Sequence, residues 1–413
     1  MLIHHHRLLT YRHFLYSRGA DRSRPMRRFY ASSFLHDFGS SMMSLFVLFY
    51  LYQLGWSLPV IVGYVLVGEI LKAPLRHLGN RLLIGWGAQK LALIGNIAWI
   101  LFTVSLLLVG QPDALGWGLL AGAVILDAAS HSAYWTAWDF NLISFEKPEK
   151  EGKQLSLIWI FGDLSRILAP VAGGVIAQIW GFQASLVVAG LLLLLSVGPL
   201  VGLKSTADLG NVEKIKESLR LRPLWEAYKR LPKRKLWSFY LSHMAWLIGS
   251  LWALWLAIAI FTTQTYSGLG ILFAASSVVS MAISWLVGRL IDKGFNRPVL
   301  LTSSLLESLL SGLKLAVTGV PLAVAHNFLQ QQSAGYTLTT FQWYFDKKRP
   351  REEQLAFFQV YSYFFYFFNS LILIGLIVCL VVFSDSQLEV LRLSSVFLGI
   401  AVGLLVAGLS VKK

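Results

Sequence analysis

Asp127, His131, Trp135 and Trp138 follow one another at intervals of four, four and three residues, so on a helix all four share one stripe. A carboxyl group beside an imidazole is a simple pair for taking up and releasing a proton near neutral pH, because burial and neighbouring charges tune both groups into that range. The alternative is a hydrogen-bonded pair that only orients helices. Two further pairs stand three residues apart, Glu69 with Lys72 and Asp163 with Arg166, the spacing at which opposite charges on a helix meet. Pairing within each helix, or a crossed pairing such as Glu69 with Arg166, satisfies them equally well. Arg166, with its planar fork, suits an anionic group on a substrate. His243 and Trp246, and later His326, Asn327 and Gln330, supply rings and amides that fit a neutral or amphipathic organic molecule, or simply packing near a membrane interface.

Other chemistry is excluded by what the chain lacks. One cysteine, Cys379, allows no internal disulfide and no thiolate metal cluster, and no metal or other cofactor is expected. No P-loop, no HExxH helix and no GxSxG elbow occurs, so neither nucleotide hydrolysis nor the common hydrolase chemistries are foreseen, and the chain reads as no enzyme.

A membrane must position these residues. Of 413 residues, 56 % are hydrophobic and 14 % charged, against about 25 % charged in an ordinary soluble domain. Twelve stretches have the length and apolarity of a bilayer-spanning helix, at about 32–53, 58–78, 90–110, 115–138, 154–178, 183–203, 236–262, 267–288, 298–317, 320–343, 354–383 and 391–410. Of the 36 basic residues, 32 fall in alternate connections: the segment up to Arg28, the turns near 76–90, 147–153, 289–297 and 347–351, the linker 204–235, and the C-terminus. By the positive-inside rule both termini are cytoplasmic. The same dispersal removes the nucleic-acid partner that a net charge of +15 would otherwise suggest. No cleavable signal peptide is read. Residues 4–13 are rich in His and Arg, and either Met1 or Met26 serves as the start; an anionic-lipid contact or a transit peptide are the other readings of this leader. The organisation expected is a basic N-terminal segment 1–31, a six-helix bundle 32–203, a cytoplasmic linker 204–235 and a second six-helix bundle 236–413.

The turn Gly288-Arg289-Leu290-Ile291-Asp292-Lys293-Gly294-Phe295-Asn296-Arg297 resembles the cytoplasmic signature of the major facilitator superfamily of secondary transporters, with Phe295 and Asn296 in place of the usual Gly and basic residue. The equivalent stretch of the first half, Gly79 to Lys90, keeps its glycines and the basic residues Arg81 and Lys90 but lacks the acidic one. Ala169-Pro170-Val171-Ala172-Gly173-Gly174 resembles the Gly-Pro-x-x-Gly-Gly core of the antiporter branch, with Pro170, Gly173 and Gly174 giving a bend that can flex. The resemblance implies two six-helix halves around a central cavity, lined by the first, fourth, seventh and tenth helices. It also implies a gate at Gly288, Asp292, Lys293 and Arg297 and at Gly79, Arg81 and Lys90. The ninth helix would be peripheral, so Lys314 is expected to snorkel outward while Glu307 finds a partner.

The function expected is secondary active transport of a small organic solute by alternating access, proton-coupled through Asp127 and His131, with export slightly favoured, by a monomer in the cell membrane. A lipid or lysolipid translocator of the same fold, a membrane scaffold or sensor that no longer cycles, and a membrane-embedded transferase are the competing readings.

Overall fold

The computed structural model describes residues 24–145, 151–201, 221–230, 233–262, 265–330 and 351–411. Among them every regular element is helical: α1 (Arg24–Ser44), α2 (Val47–Gln53), α3 (Leu58–Trp86), α4 (Ala88–Leu108), α5 (Ala114–Phe145), α6 (Glu151–Trp180), α7 (Phe182–Val197), α8 (Leu221–Arg230), α9 (Lys233–Ala259), α10 (Thr265–Asp292), α11 (Asn296–Leu313), α12 (Val320–Gln330), α13 (Arg351–Val382) and α14 (Gln387–Val411), with short 3₁₀ turns between some of them. Ten spans in the described residues are long and apolar enough to cross a membrane, and Leu164–Trp180 within α6 is a shorter apolar one. The tenth predicted span is described only as Val320–Gln330.

Burial runs opposite to that of a water-soluble protein. Leu191, Leu194 and Leu195 on α7 are each more than half exposed, whereas Glu69, Lys72, Arg76, Asp139, Glu307 and Lys314 are buried. Such a surface is stable only in hydrocarbon, and such an interior only if its polar groups satisfy one another.

Packing groups the helices into two sets. α1, α3, α4, α5, α6 and α7 pack among themselves, as do α9 to α14. The two sets meet along two seams, α6 against α10 and α3 against α13, with α5 also touching α13 and α2 touching α9. At the first seam the backbones approach closely because the residues are small. A side-chain carbon on Gly270 would stand 2.3 Å from the Pro170 carbonyl oxygen, and one on Gly174 would stand 2.4 Å from that of Tyr266. The Tyr266 hydroxyl donates to Gln53 Oε1 at 2.5 Å and its ring lies among Phe46, Phe49 and Phe182, closing the end of the bundle that carries the charge-poor loops.

The two signature stretches are mostly helix rather than turn. Gly79, Asn80 and Arg81 lie inside α3, and the chain reverses only at Gly87, whose φ of 84° is open to glycine at little cost. Likewise Gly288 to Asp292 finish α10 before the reversal at Gly294, φ 89°. Gly79 therefore serves a helix face, where it meets the Thr136 hydroxyl of α5, 3.1 Å from where a side-chain carbon would be. α1 also starts at Arg24, inside the expected N-terminal segment, and α9 at Lys233, inside the expected linker.

Candidate functional site

Along α3, Glu69, Lys72, Arg76 and Asn80 succeed one another at three, four and four residues, one stripe of a helix, and all four are buried. They look onto α5 in the same half and α13 in the other. Lys72 Nζ donates to Glu69 Oε1 at 2.6 Å, and Asn369 of α13 donates to Glu69 Oε2 at 3.1 Å. One turn further along, Arg76 pairs with Asp139 of α5 and donates through Nε to Gln359 Oε1 of α13 at 3.2 Å. Asn80 donates to the same Gln359 oxygen at 3.1 Å. The Ser132 hydroxyl of α5 donates to the Lys72 carbonyl at 3.1 Å. A continuous polar ladder thus runs along the seam between the halves, and Gln359 and Asn369 are its rungs from the second half.

Asp127 stands beside this ladder, half-buried, opposite Gly68 of α3. A side-chain carbon on Gly68 would lie 4.0 Å from Asp127 Oδ2, so the glycine leaves room for the carboxylate. Asp127 is within electrostatic reach of Lys72 and Glu69, and no hydrogen bond reaches its carboxylate among the described residues. Among the described residues the charges do not balance: Glu69, Asp127 and Asp139 make three carboxylates against the two cations Lys72 and Arg76. Both cations are already held by carboxylate or amide partners. The group therefore has room for one more positive charge, and a proton is the smallest that fits.

The rest of the α5 stripe is aromatic. The His131 ring lies 6.1 Å from that of Trp135 and 6.4 Å from that of Tyr366 on α13, and Trp135 meets Tyr134 and Trp138 edge-on at 5.7 and 5.3 Å. Arg166 is exposed on α6 and has Asp37 of α1 as its electrostatic neighbour, so the crossed pairing with Glu69 does not form. The side chains of Asp163, Trp246, Gly288 and Asp292 lie outside those described.

The second-half candidates form a separate cluster. His326 Nε2 bonds the Leu310 carbonyl at 2.9 Å, Asn327 Oδ1 accepts from Trp252 at 3.3 Å, and Gln330 donates to Glu307 Oε2 at 2.6 Å. Each of the three ties α12 to α11 or α9. Lys314 does not snorkel outward: it is 2 % exposed, bonds the Ser395 carbonyl at 3.4 Å and lies 5.4 Å from the Trp252 ring. Partners inside the half make burial cheaper than reaching for the interface. His243 turns to Phe239 and Tyr361, its ring 4.2 and 5.4 Å from theirs, and does not join the ladder. Of the signature residues, Lys293, Arg81 and Lys90 are exposed and Arg297 donates to the Ser410 carbonyl at 2.9 Å. Pro170 is inside α6, which stays helical through it, and Gly173 abuts the Met42 carbonyl of α1.

Arg76, Asn80, Asp139, Gln359 and Asn369 were not singled out by sequence. The spacing of Arg76 and Asn80 from Glu69 and Lys72 was the available signal, masked by reading both as turn residues.

A family model for the major facilitator superfamily matches residues 29–368, which spans both halves and both seams. The chain belongs to the major facilitator superfamily. Solved structures share the superfamily's fold with it: a D-xylose-proton symporter (TM-score 0.67, 13 % identity, covering 93 % of this chain and 96 % of that one) and a POT family transporter in complex with 5-aminolevulinic acid (TM-score 0.63, 12 % identity, 94 % and 96 %). A POT family transporter bound to a thioalcohol-conjugated peptide is similar too (TM-score 0.65, 12 % identity, 92 % and 95 %). No curated protein matches the sequence. The superfamily and the apolar helices make this a multi-pass membrane protein and a secondary transporter.

Proposed function

We propose that the protein moves a small organic solute across the membrane by alternating access and couples that movement to protons at Glu69 and Asp127. The observation that carries this reading is the uneven charge of the ladder at the seam between the halves, where Glu69 is held at once by Lys72 in its own half and Asn369 in the other. A hydrogen bond to a carboxylate is about twice as strong as one to a neutral acid. Protonation therefore loosens the Asn369 rung, and occupancy of one carboxylate is felt as a change in how tightly α3 holds α13. His131 stands one turn from Asp127, flanked by Trp135 and Tyr366, and is the second candidate for the proton. Twelve spans, cytoplasmic termini, a monomer in the cell membrane and net export complete the reading, on the support of the basic residues in alternate loops and the Pro170 to Gly174 segment.

One observation favours the lipid alternative: an apolar cleft of about 530 Å³, lined by Phe261, Ile271, Leu272, Val320, Val324 and Phe328, opens between α10 and α12. The test is proton release from purified protein in detergent on adding organic cations, sugars, amino acids, organic anions and lysophospholipids, with Asp127→Asn and Glu69→Gln proteins alongside. Release by one class, lost in either variant, is expected. Release that persists in both variants removes the two carboxylates from the coupling.

A further inference from the structure

Helix α8 carries a pattern that transport does not use. Its Leu224 is buried against Leu236 and Phe239 of α9 and Val360 of α13. Leu236 stands three residues into α9, directly after the basic run Lys233-Arg234-Lys235, so α8 lies at the depth where headgroups begin. Its other face is open. Trp225 is 56 % exposed and stacks on Tyr228 with ring centroids 5.2 Å apart. Lys229 lies 5.7 Å from the Trp225 ring, and the exposed Lys233 lies 3.3 Å from the Tyr228 ring. Glu226, the one carboxylate on α8, is taken by Lys229 at 3.2 Å, which leaves Arg230, Lys233 and Arg234 as excess positive charge. A tryptophan this exposed beside unmatched cations is unfavourable in water and favourable in the interfacial layer, and the charge selects the lipid.

We propose that α8, with Lys233 and Arg234, docks anionic phospholipid of the leaflet at the basic end of the bundle. Charge complementarity commits the site to lipid headgroups rather than to zwitterionic lipid or an acidic protein. Leu224 seats on Val360, and the neighbouring Gln359 holds Arg76 and Asn80 across the seam, so lipid that braces α8 also braces the contact between the halves.

The test uses the full chain in nanodiscs of phosphatidylcholine with one quarter phosphatidylglycerol, either lipid carrying brominated acyl chains. The difference in emission between the native protein and Trp225→Phe isolates the Trp225 signal. Each cation near an anionic leaflet contributes about fivefold in partitioning. Brominated phosphatidylglycerol is therefore expected to quench Trp225 severalfold more per molecule than brominated phosphatidylcholine. Arg230→Gln/Lys233→Gln/Arg234→Gln should bring the two together while quenching persists. Equal quenching in the native protein overturns the anionic preference. A Trp225 signal that neither lipid quenches overturns the docking altogether, leaving an acidic protein as the face's partner.

Discussion

Arg76 is a long cation with almost no exposure, in a segment whose surroundings are hydrocarbon. It persists because Asp139 and Gln359 both hold it, and each partner satisfies a different nitrogen. Breaking a buried pair by removing one member costs about 3 to 5 kcal/mol, whereas replacing both with apolar residues is often neutral. Asp139→Leu alone is therefore expected to lower the thermal unfolding midpoint of the detergent-solubilised protein sharply, and Arg76→Met/Asp139→Leu to recover most of the loss. Equal loss in both would mean that the pair contributes packing rather than charge balance. Arg392, in the second turn of α14, has a comparable explanation. Its guanidinium donates to the Leu315 and Val317 carbonyls at 2.6 and 3.3 Å and lies 5.0 Å from the Trp255 ring, closing the end of the α11 region.

At the level of elements, the all-helical, membrane-spanning character was legible because length and apolarity alone decide it in a bilayer. Which polar residues meet was legible only in part. Glu69 and Lys72 announce themselves by lying mid-span; Asp139 lies one residue past the expected end of its helix, and Gln359 and Asn369 are uncharged amides in an aromatic-rich helix. Exact helix ends and the partner helix are set by tertiary contact, which no period in the sequence encodes. The α6 to α10 seam is testable at this scale. Gly270 has no space for a side chain against Pro170, so Gly270→Ala must push the two helices apart. In a Cys379→Ala background, Ala169→Cys is fully buried on α6 and should react slowly with a small maleimide. Adding Gly270→Ala is expected to raise that rate severalfold. An unchanged rate would mean that the seam absorbs the carbon elsewhere.

For the molecule as a whole, the proposed coupling requires that the seam between α3 and α13 make the distance between the halves depend on protonation. Two side chains of the second half, Gln359 and Asn369, reach three of the first. Asn369 alone touches the carboxylate that also holds Lys72. Spin labels at Arg81 and Lys293, both exposed and one on each half at the basic end, report the separation directly in the Cys379→Ala protein. Lowering the pH should move the distance distribution, because a neutral Glu69 accepts more weakly from both Asn369 and Lys72. Asn369→Ala should give the moved distribution already at neutral pH and lose most of the response to acid. Gln359→Ala should also loosen the halves but keep the acid response, since its partners Arg76 and Asn80 are not carboxylates. That contrast separates a proton-sensing rung from a merely adhesive one. If Asn369→Ala keeps the full acid response, Glu69 is not where protonation is converted into movement, and Asp127 must act through Lys72 alone.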